Sequence, residues 1–356
     1  TEDASSPAPT LLTLAPHNVA WFCYKDQPLT PGMVISGYTT NPVYGITLTA
    51  ASASQVANGV SQRHTGIAGT GVRIEESSGA TSIITNSTTP ANYLTVEWLE
   101  LTATSGGGTA GFNQAATLSA SNTIVLRSLL VHDLAGSGIL NSATNVVLYA
   151  YNNVLYRNGY GIRNAAAGWA SGSLDILNNT VFGSSVGAGI SSTNNGPTPY
   201  TTLINNIAVG NFGADFALNL TPLAINAASG WNLSSDFTTS THSPAGGGWQ
   251  DGFFATSGFI SSTAPVDLHL RRGASARNAG TTLFTFGTDI DGDARPSGPS
   301  WDIGADEAIA EVFYSIGTST SDLKTGSPTI RIDSGIATLS VAQTGNIGLG
   351  DAISWA

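Results

Sequence analysis

Between about Thr123 and Asn219 one short motif returns several times, and it limits the folds open to the chain more than any other feature. Asn145-Val-Val-Leu-Tyr-Ala-Tyr-Asn-Asn-Val-Leu-Tyr156 leads to Gly159-Tyr-Gly-Ile162. Ser173-Leu-Asp-Ile-Leu-Asn-Asn-Thr-Val-Phe182 leads to Gly187-Ala-Gly-Ile190, and Thr202-Leu-Ile-Asn-Asn-Ile-Ala-Val209 leads to Gly213-Ala-Asp-Phe216. The paired asparagines start at Asn152, Asn178 and Asn205, in steps of 26 and 27 residues. A period of that size signals stacked supersecondary units, each unable to bury its apolar face alone. The apolar runs are short, rich in Val, Ile, Leu and Tyr, and bounded by Gly and Asn, so they read as strands. None has the length or spacing of a helix between strands, which argues against βαβ units and leucine-rich horseshoes. The expected fold is all-β: a right-handed parallel β-helix solenoid, with irregular cap coils at its N-terminal end and a β-strand module at its C-terminal end.

Asparagine suits the bends because it tolerates left-handed backbone angles and bonds local backbone groups. Stacking predicts a hydrogen-bonded amide ladder through Asn152, Asn178 and Asn205. The glycines of Gly136-Ser-Gly138, Gly159-Tyr-Gly161 and Gly187-Ala-Gly189 are expected at the next bend with positive φ. No helix follows them, which argues against a phosphate-binding loop.

Three segments are expected along the chain. Residues 1–90 form a Ser/Pro-rich lead, a cap and the first coils. Residues 91–310 form the β-helix, with loops thrown out at 104–109, 165–172 and 194–200. Residues 311–356 alternate apolar and polar positions, as in Thr329-Ile-Arg-Ile-Asp333 and Ile336-Ala-Thr-Leu-Ser-Val341, and read as antiparallel strands.

Charged residues make up only 10% of the chain and lysine occurs only at Lys25 and Lys324, so Ser, Thr, Asn and Gly must carry solubility. The net charge of −11 argues against nucleic acid as a partner. No run reaches the length of a membrane span. The single Cys23 excludes an internal disulfide, and its apolar surroundings predict a buried, inert thiol. Low charge, scarce lysine and a processed-looking start suggest an extracellular or cell-surface protein.

Gly287-Thr-Asp-Ile-Asp-Gly-Asp-Ala-Arg-Pro296 places Asp289, Asp291 and Asp293 in alternation. An EF-hand loop would need a helix on each side and Glu at its twelfth position, where Ser300 stands. Two readings remain: a looser metal site taking Ca2+, the only cofactor the sequence suggests, or a turn pinned by Arg295 to a carboxylate such as Asp302. His132-Asp133 is the best polar pair in the coils and reads as a solvated loop pair. Glu97 and Glu100, flanking Trp98, are expected to face solvent. His17, His64, His242 and His269 share no spacing. Four Asn-x-Ser/Thr sites, at Asn86, Asn178, Asn219 and Asn232, leave glycosylation open.

The coils at 91–220 resemble right-handed parallel β-helix repeat proteins. Asp289-Ile-Asp-Gly-Asp-Ala-Arg-Pro296 with Trp301-Asp-Ile-Gly-Ala-Asp-Glu307 resembles the ending of secreted bacterial β-helix proteins of the "choice-of-anchor" kind, which implies a secreted or surface protein. Ser61-Gln-Arg-His64 and Phe313-Tyr-Ser-Ile-Gly317 resemble modules of large environmental β-helix proteins, in which the Phe-Tyr-Ser module comes first. The reversed order here suggests one period of a longer array, or last strands that complete a neighbour's first coils.

Polygalacturonase-like β-helices carry Asn-Thr-Asp, Asp-Asp and Gly-His-Gly on neighbouring coils. This chain has Asn179-Thr180-Val181, no Asp-Asp and no Gly-His-Gly, so the carboxylate pair for glycoside hydrolysis lacks support. Asp175, Arg127, Arg157 and Arg163, the candidates for a lyase-like site, fall at unmatched repeat positions. No catalytic residue is assigned. The expected function is a structural subunit that assembles head to tail through its chain termini into a filament or surface layer, a homo-polymer. A glycan-binding or glycan-cleaving β-helix is the alternative, with Trp169, Tyr200 and Trp249 as stacking platforms for a polysaccharide. An adhesin or phage-type fibre is the third reading.

Overall fold

The computed structural model describes residues 18–29, 32–38, 40–77, 79–87, 93–104, 110–117, 122–166, 171–193, 201–218, 225–239, 247–309, 325–333 and 336–343. The chain divides into two units, Thr1–Ala308 and Ile309–Ala356. The first is a parallel β-solenoid of about seven coils. Each coil gives one strand to each of three parallel sheets, here A, B and C, of seven, eight and seven strands. No helix among the described residues is long and apolar enough to cross a membrane.

In-register stacking builds the core. On sheet A, Leu48, Val96, Leu126, Ala150, Ile176 and Leu203 pair in one column, and all are buried. On sheet C, Ile84, Phe112, Ile139, Ile162, Ile190 and Phe216 form a second column. Sheet B supplies Leu101, Val131, Leu155, Val181 and Ala208. Each strand alternates one such residue inward with a neighbour outward, the two-residue period of the pleat. The early segment contributes ordinary coils: Val19–Cys23, Met33–Ile35, Ile46–Ala50, Arg73–Glu76 and Ser82–Asn86 all pair within the three sheets.

The bend from sheet A to sheet B is left-handed in six successive coils, at Trp98, Ser128, Asn152, Asn178, Asn205 and Trp231, with φ between 48° and 58°. Three of the six are the first asparagines of the pairs, the residue type that tolerates this region best. The continuous amide ladder runs through the second asparagines. Asn153 Nδ2 donates to Asn179 Oδ1 at 2.9 Å, Asn179 to Asn206 at 3.0 Å, and Asn206 to Asn232 at 2.9 Å. Each Oδ1 also accepts the backbone N–H of the preceding asparagine. These amides are buried and paired, so their desolvation is compensated.

The glycines after sheet B answer to space, not to backbone angle. Gly138, Gly161 and Gly189 are not among the positive-φ positions. A Cβ on Gly161 would lie 2.3 Å from the carbonyl oxygen of Gly189 and 2.3 Å from Val181 Cγ1, and one on Gly138 would lie 2.5 Å from Leu155 Cδ2. Successive coils approach too closely there for any side chain.

The coils end at Gln250–Asp251, the last strand of sheet B. Residues 253–308 turn back and lie on the outer face of that sheet, forming a second apolar cluster. Phe253, Phe259, Leu268, Leu270, Ile290 and Ile303 pack there against Leu130, Val154, Ile207 and Leu233. This outer layer explains why Leu130, Val154, Ile207 and Leu233, on the outer face of sheet B, are apolar. The first asparagines hold it: Asn178 Nδ2 donates to the carbonyls of Asp302 and Gly304, both at 3.0 Å, and Asn205 donates to Thr281 O at 2.8 Å and accepts from Thr281 N at 3.0 Å. Asn152 donates to Thr288 O. Asn205 also donates to Asn178 at 3.1 Å, so this column serves mainly as a rail for the outer layer.

In the second unit, Ile330–Asp333 and Ile336–Leu339 pair antiparallel, with Ile330 opposite Leu339. The Phe-Tyr-Ser module and both chain termini lie outside the described residues.

Candidate functional site: a polar seam under the outer layer

Charged side chains gather where the loop around His64 meets the outer face of sheet B and the layer at 253–308. On the sheet, Glu100, His132 and Asp133 are linked. His132 Nε2 lies 3.1 Å from Glu100 Oε1, and His132 Nδ1 lies 2.8 Å from Asp133 Oδ2. The ring stacks on Tyr156, centroids 4.8 Å apart and planes nearly parallel. Burial opposes protonation of His132, but its bonds to Asp133 and Glu100 outweigh burial and hold its pKa above the ordinary value. Burial alone would raise Glu100; the bonds from His132 and from Gly69 N–H bring it below its usual range. Burial likewise pushes Asp133 up, while bonds from His132 and Arg157 reverse this and leave it at about 2. The pair is therefore only half solvated: His132 is buried among Glu100, Thr102 and Tyr156, while Asp133 is exposed.

Glu97 and Glu100 are also buried, contrary to the expectation that they face water. Trp98 between them takes the left-handed bend, which shifts the strand alternation across it. Glu97 accepts from Thr49 Oγ1 at 3.0 Å and from Arg127 Nε. Arg127 in turn donates to Tyr151 Oη at 3.0 Å, and Tyr151 stacks on Phe286 of the outer layer at 4.5 Å.

His64 and His269, which share no sequence spacing, meet in this seam. His64 is 1% exposed; its Nε2 faces the Ser128 carbonyl at 2.8 Å and its Nδ1 accepts the Gly66 N–H at 3.2 Å. That pattern requires the neutral ring protonated on Nε2, and burial lowers its pKa to about 4. His269 is the opposite case. Its Nδ1 lies 2.5 Å from Asp267 Oδ1 and its Nε2 lies 2.9 Å from Asp291 Oδ2. Burial opposes its charge, but Asp291, Asp306 and Asp267 outweigh burial and raise its pKa to about 10. Asp306 is pushed up to about 7 by burial, against the pull of His269 and the Leu270 N–H. A Cβ on Gly66 would lie 2.8 Å from His269 Nε2, so the His64 loop closes directly over this group.

The Asp289-Ile-Asp-Gly-Asp loop is an anchored turn. Asp289 Oδ1 accepts the N–H groups of Asp291 and Asp293, and Oδ2 accepts that of Glu307. Burial nevertheless raises Asp289 to about 6. The carboxylates of Asp289, Asp291 and Asp293 come within 4.8 Å of one another, but both Asp289 oxygens are occupied by backbone donors. Arg295 does pin this region, with a different partner from the one expected. It pairs with Glu307 at 3.0 Å, both side chains fully buried, and also donates to the carbonyl of Gly304. Asp302 instead accepts from Asn278 N and Ala308 N.

Of the three aromatic platforms, Trp169 and Tyr200 lie outside the described residues. Trp249 is half-buried and packs edge-on against Phe216 at 5.6 Å, which removes it as an open platform. Asp175 on sheet A is held by Ser173 at 2.9 Å, and Arg157 pairs with Asp133. Asn86, Asn178 and Asn232 are fully buried, which closes those positions to a glycan, and Asn219 lies outside the described residues. Cys23 is buried, and burial raises its thiol to about 11. No protein-family model, no curated protein and no solved structure matches the chain.

Proposed function

We propose that the chain is a structural solenoid of an extracellular or cell-surface assembly, joined end to end with further copies. The observation that carries this reading is the edge of sheet A. Among the described residues Val19–Cys23 pairs on one side only, with Ile46–Ala50. Val19 N–H bonds Gly45 O and Cys23 O accepts from Ala51 N, so the alternation turns the backbone groups of Ala20 and Phe22 toward the other edge. Such an edge is a template for another strand. The low charge and scarce lysine support an extracellular setting, and few charges oppose stacking of identical coils.

Negative-stain microscopy of the full chain tests it. Filaments are expected, and Phe22→Pro should dissolve them while leaving the internal ladder intact, because that N–H has no partner among the described residues. Removal of residues 312–356 tests donation of the last strands to the next copy. Discrete monomers in the unaltered chain would sink the proposal, and three coils side by side would favour an adhesin or fibre.

A second reading, glycan binding, rests on an open groove of about 570 Å³ on sheet C, lined by Tyr160, Arg163, Ser191, Thr193, Gly213 and Leu218. The Arg163 guanidinium sits 4.5 Å from the Tyr160 ring, giving an aromatic face beside a cation and hydroxyls. A blank glycan array together with a blank reducing-sugar assay removes this reading.

A further inference from the structure

We propose that His269, Asp291 and Asp306 form a binding site for one divalent transition-metal ion of the zinc class, with Asp267 orienting the histidine. A ring nitrogen of His269 and one carboxylate oxygen from each aspartate lie within 4.8 Å of one another. The three residues come from a strand of the outer layer, the Asp-Gly-Asp loop and the segment after Gly304, elements joined here by the fold alone.

Four observations point to a ligand and not merely to an ion-pair cluster. Among the described residues His269 Nε2 and Asp291 Oδ1, both shut off from solvent, have no aligned hydrogen-bond partner, and Nε2 meets Asp291 only as an ion pair at 2.9 Å. Buried polar atoms are nearly always paired, so two orphans facing one spot mark a missing partner. Asp306 is 6% exposed and among the described residues takes a single hydrogen bond, from Leu270 N to Oδ2 at 2.7 Å, which leaves Oδ1 available. The second ring nitrogen of His269 is held by the Asp267 carboxylate, the arrangement that orients a metal-bound imidazole and raises its basicity.

The donor set decides the class of ion. One imidazole with two carboxylates suits zinc and its neighbours, whereas calcium takes oxygen ligands alone. Asp289 is not a member, because both its oxygens already accept backbone N–H groups. The site stands independently of the assembly proposed above.

The test is titration of the EDTA-treated full chain with zinc at pH 7.5, followed by calorimetry and by thermal unfolding. One zinc per chain is expected, with a rise in Tm. His269→Gln and Asp306→Asn should each abolish the saturable phase, and Asp267→Asn should weaken it about 10- to 100-fold. Where His269→Gln fails to fold, Asp291→Asn, at the rim of the site, carries the same expectation. Absence of saturable zinc uptake by the full chain overturns the site, as does uptake equally tight in the Asp306→Asn and Asp291→Asn variants. Saturable uptake of calcium with none of zinc overturns the assignment of the ion.

Discussion

The two faces of sheet B solve the problem of buried polarity in opposite ways. Inward, at its junction with sheet A, the asparagines 153, 179, 206 and 232 form a neutral ladder in which each coil satisfies the next. Outward, on the opposite face and in the layer at 253–308, polarity is ionic and irregular: His132 between Glu100 and Asp133, His269 among aspartates, Arg295 on Glu307. A neutral amide costs little to bury once paired, and repetition supplies its partner automatically. A charge costs far more and needs a specific partner, which here comes from the neighbouring coil or from within the same layer rather than from a repeated position. Periodic stacking therefore builds the interior, while the exterior depends on pairs specific to each place and on residues 253–308 lying over the sheet.

The comparison breaks most sharply at Arg295. Arg295→Met leaves Glu307 buried without its cation and should cost about 3–5 kcal/mol in chemical denaturation. The double change Arg295→Met with Glu307→Leu should recover most of that loss; equal losses in both would show that packing and not charge holds the layer. On the inner face, Asn179→Ala strips partners from Asn153, Asn206 and the Ala150 carbonyl. A loss of about 2–4 kcal/mol is expected, at the scale of leaving buried groups unpaired. A change under about 1 kcal/mol would mean the ladder is replaceable by water.

The smallest effect separates the faces by pH. His269 has a folded pKa of about 10, above the ordinary 6.5, so its stabilisation is complete below pH 6.5 and is lost as pH rises through about 10. In metal-free protein, stability should fall by about 1–3 kcal/mol between pH 7 and 10, and His269→Gln should flatten that slope. His64 has the opposite sign. Its pKa is lowered to about 4, so its contribution is present above pH 6.5 and is lost as pH falls toward 4. An unaltered slope in His269→Gln would place the titration elsewhere.

Much of the solenoid was legible in the chain. The 26- and 27-residue steps, the short apolar runs and the asparagine pairs led directly to stacked parallel strands, because each coil's partner is its neighbour in the sequence. The pairs themselves were legible, but not the division of labour within them. Asn152, Asn178 and Asn205 turn the bend and grip the outer layer, while the residue after each one enters the ladder. Only a backbone with φ near 50° at the bend makes that choice. Of the polar seam, the Asp289 loop stood out as a turn pinned by Arg295, with only the partner carboxylate, Glu307 in place of Asp302, decided by the fold; Glu100 and His132 look like surface residues until something covers them.

The repeat period and the composition by themselves determined a coil of strands with a stacked apolar core. Local spacing is enough for these, since in a solenoid the contacts that matter recur at a fixed interval. Tertiary structure alone decided that residues 253–308 fold back over sheet B and that His64 closes on His269 and Asp291. These partners are joined by no period, and only the burial of an outward apolar face, which no single strand announces, brings them together.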